Sequence, residues 1–228
     1  GIALLIFIGM IFVLFCMVLI MPSEEYETVN YDIPNMRDYY THIKGNGEDK
    51  VTLMVYMVGS DLESDGGAAS EDIAEMTAAN ADNINITLQT GGAAAWENAS
   101  ISDGKTERHI IKNGELQNVE NLGEAQMTSP NMLTDFIKWS ASNYPADRYE
   151  LVLWNHGGGT ALGFGYDEMY PDDMLSLSQI GNALSDSGIK FDIVGFDACL
   201  MGTIETAYML EPYADYLVAS EEYEPGTG

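Results

Sequence analysis

The sequence has little positive charge and almost no cysteine. Nine Lys and Arg stand against 36 Asp and Glu in 228 residues, a formal net charge of -27. A chain so poor in cations lacks the basic surface that phosphate binding needs, which argues against nucleic acid as a partner. The same charge attracts cationic peptides or metal cations, and it also keeps an exported protein soluble. There are two cysteines, Cys16 inside an apolar run and Cys199 near the far end, so no disulfide framework is expected. No C-x-x-C occurs, which disfavours a redox thiol protein. Internal repeats and low-complexity tracts are also absent. The apolar fraction of 46% is enough for a real core.

Residues 1–21, "GIALLIFIGMIFVLFCMVLIM", carry no charge. At ~1.5 Å per residue such a run matches the hydrocarbon core of a bilayer. No A-x-A cleavage pattern follows it, so an uncleaved transmembrane anchor is expected rather than a signal peptide. The flank "PSEEYETVNYDIPNMRDYY" is acidic, which places it outside the cytoplasm by the positive-inside rule. Phe15 is too bulky for a lipobox, so Cys16 reads as filler of the apolar span. Residues 22–50 read as a polar linker.

From residue 51 the pattern is that of a folded domain. "VTLMVYMV" (51–58) is a continuous, partly β-branched apolar run, as in a strand buried on both faces. "GSDLES" reads as a turn, "AASEDIAEMTAAN" as a helix and "NINITLQTGG" as a second strand. Asp103-Gly104 and Asn113-Gly114 flank a short alternating run, which signals a β-hairpin or meander. "SPNMLTDFIKWSASNY" predicts a helix capped at Ser129, with Pro130 at its first position. "YELVLW" and "FDIVGF" read as further buried strands, separated by a helix closing on Gly188. A helix over "TIETAYMLEPYA" and a strand at "DYLVAS" follow. Alternating strands and helices predict an α/β fold with a mostly parallel sheet. The domain is expected over residues 51–228 and to continue beyond the last residue given.

Two stretches carry chemistry. "LVLWNHGGG" ends a strand on His156, and "FDIVGFDACLMG" ends the next one on Cys199. Sites in open α/β sheets form beyond the carboxyl ends of the strands, so both residues fall on one rim. A free thiol and an imidazole there fit a nucleophile and its base. Glycines after His156 let a peptide approach the backbone, and Cys199 lies before a predicted helix, whose dipole favours thiolate. A buried small hydrophobe and a structural histidine would account for the same residues on spacing alone.

Residues 51–228 resemble the clostripain-like cysteine peptidases, in the clan that holds caspases, gingipains, legumain and separase. The resemblance rests on "VYMVGSDLES" (55–64), "NINITLQTGG" (83–92), "LVLWNHGGG" (151–159), "VGFDACLMG" (194–202) and "YLVASEEYEPGTG" (216–228). It implies a caspase-like three-layer sandwich. It also implies a dyad of His156 and Cys199, with the oxyanion held by the amides of Gly157 and Cys199. Cleavage after Arg or Lys is implied, with Asp197 as a pocket wall and Glu222 and Glu224 as further candidates. The chemistry requires no cofactor. Calcium is conceivable at "DEMYPDD" (167–173) through carboxylates. No Lys or Arg occurs between His156 and the next helix, so self-processing there is not expected. The expected protein is a membrane-held, extracytoplasmic cysteine endopeptidase acting on peptides with basic residues. A catalytically silent relative that binds peptide at the cell surface is the alternative.

Overall fold

The computed structural model describes residues 47–79 and 83–225. The expected anchor over residues 1–21 lies outside these, as does the linker up to residue 46. Among the described residues no helix is long and apolar enough to cross a membrane.

Seven strands form one sheet: β1 (Val51–Val58), β2 (Ile84–Gly91), β3 (Thr106–Lys112), β4 (Glu115–Gly123), β5 (Arg148–Trp154), β6 (Phe191–Asp197) and β7 (Ala214–Val218). Their order is β4-β3-β2-β1-β5-β6-β7. The five strands β2, β1, β5, β6 and β7 pair in parallel, and the β3–β4 hairpin adds antiparallel to β2. The continuous apolar run predicted for β1 fits its central place, because both of its faces are covered. Met54, Tyr56 and Val58 enter one core, while Val55 and Met57 enter the other.

The larger core lies under α3 (Pro130–Asn143) and α5 (Leu177–Ser187), with α6 (Ile204–Leu210) beside them. The smaller one lies under α2 (Ala68–Ala78), which inserts Ala69 and Ile73 against Leu88, Trp96 and Trp154. Helix α3 starts at Pro130 as expected, but the Ser129 side chain makes no capping bond. The working cap is at α5, where Ser176 and Gln179 form a reciprocal capping box and Gly188 closes the helix at φ 70. The hairpin is held by Arg108, a buried cation on β3. It bonds Gln89 at 3.0 Å and Glu120 at 2.9 Å, pairs with Asp135 of α3, and lies 5.0 Å from the centre of the Trp139 ring.

Two short helices replace expected loops. "GSDLES" forms α1 (Ser60–Ser64), and the glycine segment after His156 contains α4 (Gly159–Leu162). The strand order changes direction at β1: β2 lies parallel on one side of it and β5 parallel on the other. In open α/β sheets, sites form beyond the carboxyl ends of strands at such a switch point, here the ends of β1 and β5.

Candidate active site

The last paired rung between β5 and β6 joins Trp154 to Asp197. One step further, the Asn155 amide donates to the Asp197 carbonyl at 3.1 Å. His156 and Cys199 each sit two residues past that rung, on neighbouring parallel strand ends. The sheet register, rather than any loop, therefore sets their relative place.

Glycine is required next to the histidine. A Cβ at Gly157 would stand 2.1 Å from the Cys199 carbonyl oxygen and 2.9 Å from Met201 Cγ. The chain then folds back on itself. Gly158 N–H donates to Gly163 at 2.8 Å, and Gly165 N–H donates to the His156 carbonyl at 3.0 Å. This return sets the Tyr166 ring edge-on to the His156 ring, 6.3 Å between centroids.

Asn155, buried, braces the site from below. Its side-chain N–H groups donate to the Val58 carbonyl at 2.5 Å and to Ser60 Oγ at 2.8 Å, and its carbonyl accepts from Tyr166 N–H at 2.5 Å. Three segments are thus tied to one amide. Ser60 is buried and adopts φ 52, a left-handed conformation that non-glycine residues seldom take. The turn it makes starts α1 and presents Asp61, whose Oδ1 lies 2.8 Å from His156 Nε2. Burial works against the Asp61 charge, but the hydrogen bond and charge of His156 outweigh it and hold the carboxyl below its usual range.

Cys199 is half-buried and free. Its Sγ accepts from the Glu224 amide at 3.2 Å. The same segment runs alongside the turn at Cys199. Leu200 N–H donates to the Glu222 carbonyl at 3.0 Å, and Gly202 N–H to the Ser220 carbonyl at 2.7 Å. Leu200 itself sits at φ 62, which makes the turn after the cysteine tight.

Three carboxylates gather near this turn. Asp197 stands at the end of β6, open to solvent, and partial desolvation followed by the charge of Asp72 pushes its pKa up. Glu224 is also raised, by desolvation and then by Asp197, against a hydrogen bond from the Ala198 amide. Asp72, on α2, is raised by burial although it accepts a 2.6 Å bond from the Trp154 indole N–H. Glu222 differs from this group. Its side chain is exposed, and its tie to the turn is its backbone carbonyl.

The "DEMYPDD" stretch spends its first two carboxylates on the fold. Asp167 is buried and accepts from the Met127 and Met169 amides at 2.8 and 2.9 Å. Glu168 accepts from Ser64 Oγ and the Ala94 amide, both at 2.8 Å. Among the described residues no three His, Cys, Asp or Glu side chains are grouped to hold a metal ion.

Sequence reasoning did not find Asp61, Asn155 or Asp72 as parts of the site. Asp61 lay within a stretch read as a turn, and Asp72 looks like any acid on an exposed helix. Asn155 offered the one available signal, a polar residue directly after a buried strand.

Residues 55–228 match the model of the clostripain family. Clostripain of Hathewaya histolytica is 32% identical over an alignment of 220 positions that covers 80% of this chain and 41% of that protein. The chain thus spans about two fifths of that relative's length. A secreted C11 cysteine protease from Bacteroides thetaiotaomicron, solved in complex with an irreversible peptide inhibitor, superposes with a TM-score of 0.65 at 23% identity, over 78% of this chain and 51% of that one. An inactive zymogen C11 protease from Parabacteroides distasonis gives a TM-score of 0.59 at 25% identity, over 78% and 50% of the two chains. The seven-stranded mixed sheet is similar to the fold of these proteases.

Proposed function

The chain belongs to the clostripain family, and from that premise we propose that it is a cysteine endopeptidase that uses Cys199 and His156 and prefers Arg or Lys at the cleaved position. The observation that carries the reading is the shared rung. His156 and Cys199 leave neighbouring strand ends in step, and Gly157 lies against the Cys199 backbone. In the proposed cycle the Cys199 thiolate attacks the scissile carbonyl. The N–H groups of Gly157 and Cys199 bind the oxyanion that develops. His156 gives a proton to the leaving amine as the C–N bond breaks, leaving a thioester. Water then attacks the thioester and returns the thiol, with His156 as the base.

Asp197 and Glu224 support the basic preference. Each carboxyl is raised by desolvation and by a neighbouring acid. A guanidinium or ammonium placed there relieves both effects by pairing with the carboxylates. Glu222 is a secondary contact at the mouth. The domain acts outside the cytoplasm, held at the membrane by residues 1–21. The apolar run and its acidic flank support this placement.

A peptidyl-arginine chloromethyl ketone tests the whole reading. The expected result is one covalent adduct on Cys199, blocked by Arg peptides and lost in Cys199→Ala. Peptide hydrolysis that survives Cys199→Ala would overturn it. Membrane fractionation of the full chain, with and without residues 1–21, tests the placement.

A further inference from the structure

We infer that Asp61 is a positioning residue for His156, completing a Cys199–His156–Asp61 arrangement assembled from the ends of three adjacent strands, β6, β5 and β1. The inference rests on the peptidase reading above but is separable from it. An ionised carboxylate can only accept a hydrogen bond, so the 2.8 Å contact assigns the proton on Nε2 to His156 and the acceptor role to Asp61 Oδ1. Nδ1 is then the nitrogen left to exchange protons with thiol and substrate. Without a partner, the ring could rotate or adopt the other tautomer, and either change would turn the working nitrogen away.

The fold spends strain and buried polar groups on this contact. Ser60 holds a left-handed turn directly before Asp61, and its Oγ is fixed by Asn155, the residue directly before His156. One buried amide therefore sets both partners of the pair. Asn155 also fixes the Tyr166 amide, and the Tyr166 ring stands edge-on to the histidine. The groups against the imidazole are Asp61 from α1 and Tyr166 from the segment after α4, while Cys199 follows the neighbouring strand β6. Of these, Asp61 is the carboxylate bonded to the ring, and its negative charge supports the charge the ring carries when doubly protonated.

The test is Asp61→Asn, with Asp61→Glu as the conservative variant, in the intact protein. Four readouts are taken: kcat and KM from pH 5 to 10, Tm, labelling of Cys199 by the chloromethyl ketone, and the histidine 15N spectrum. Asp61→Asn should lower kcat by about ten- to a hundredfold with KM little changed, a fraction of what a full acid–base catalyst contributes. The alkaline limb of kcat/KM should move to lower pH, because the doubly protonated ring loses its counter-charge. The 15N spectrum should change from one fixed Nε2–H tautomer to a mixture, and Asp61→Glu should restore part of the rate. A merely structural role would lower Tm without moving the alkaline limb. An unchanged limb and unchanged kcat at full Tm would overturn the inference while leaving Cys199 labelling, and so the peptidase reading, intact. Absence of labelling in the unaltered protein would instead remove the peptidase reading.

Discussion

At the scale of the residue, the proposed chemistry rests on a few side chains. Cys199→Ala should abolish peptide hydrolysis, and His156→Ala should reduce kcat/KM on the order of a thousandfold or more, because the pair acts as one unit. The double variant should be no worse than Cys199→Ala alone, which a progress-curve assay on one Arg substrate decides. Asp197→Asn should raise KM for Arg substrates and spare a neutral one. Its carboxylate is open to solvent, so the expected rise is roughly tenfold or less, in keeping with water-exposed charge pairs. Acid should weaken the same preference. Burial raises the pKa of both Asp197 and Glu224, so their charge fades early as pH falls, and KM for Arg substrates should climb. Equal cleavage after Arg, Leu and Asp would end the specificity claim and leave the dyad untouched.

At the scale of the element, the site is a property of strand ends. Asn155 links β1, β5 and the segment at Tyr166 through three short hydrogen bonds. Asn155→Ala leaves a buried carbonyl, a hydroxyl and an amide without that partner. A loss of about 2–3 kcal/mol in urea unfolding is expected, together with a fall in kcat as Asp61 and His156 drift apart. Gly157→Ala probes the other side of the histidine. Its Cβ would meet the Cys199 carbonyl at 2.1 Å, so the turn at Cys199 has to move. A shift near 1 Å there costs on the order of a hundredfold in rate, and the variant should fold yet label slowly with the chloromethyl ketone. Labelling at the unaltered rate would show that the turn absorbs the methyl group.

At the scale of the whole molecule, charge and one buried histidine set the response to conditions. The net charge of -27 should speed association with cationic substrates, and added salt should lower kcat/KM for them while leaving kcat alone. Stability should fall in mild acid for a different reason. His109 is buried beside Glu107 on β3, bonded to Thr90 Oγ1 at 3.0 Å, and desolvation lowers its pKa to about 4. In the unfolded chain the same ring takes a proton near pH 6.5, so the unfolded state binds more protons between the two values. The stabilisation is therefore complete above pH 6.5 and is lost as pH falls toward 4, by roughly 3 kcal/mol in all. Replacing the ring by His109→Phe should flatten the Tm profile between pH 7 and 4. Carboxyls raised by burial, such as Asp167, act in the opposite sense, so the comparison of variant with parent isolates the histidine.

The sequence by itself determined the order and kind of the main elements, because a parallel strand buried on both faces needs an unbroken apolar run and a surface helix needs a stripe. β1 falls over residues 51–58 as read, and the hairpin turns at Asn113 and Gly114 as its dipeptide requires. The sequence also placed His156 and Cys199 on one rim, since parallel topology puts successive strand ends together. It could not place Asp61, which is 95 residues from His156 along the chain and becomes its neighbour only because β1 inserts between β2 and β5. Nor could it separate Glu224 from Glu222, whose side chains differ in burial through the path of one irregular segment past the turn at Cys199. The helix in "GSDLES" was hidden for a related reason: its geometry hangs on a left-handed serine held by an asparagine just past the end of β5. Local pattern is written in neighbours along the chain, whereas these contacts depend on sheet order and register, which only the folded protein fixes.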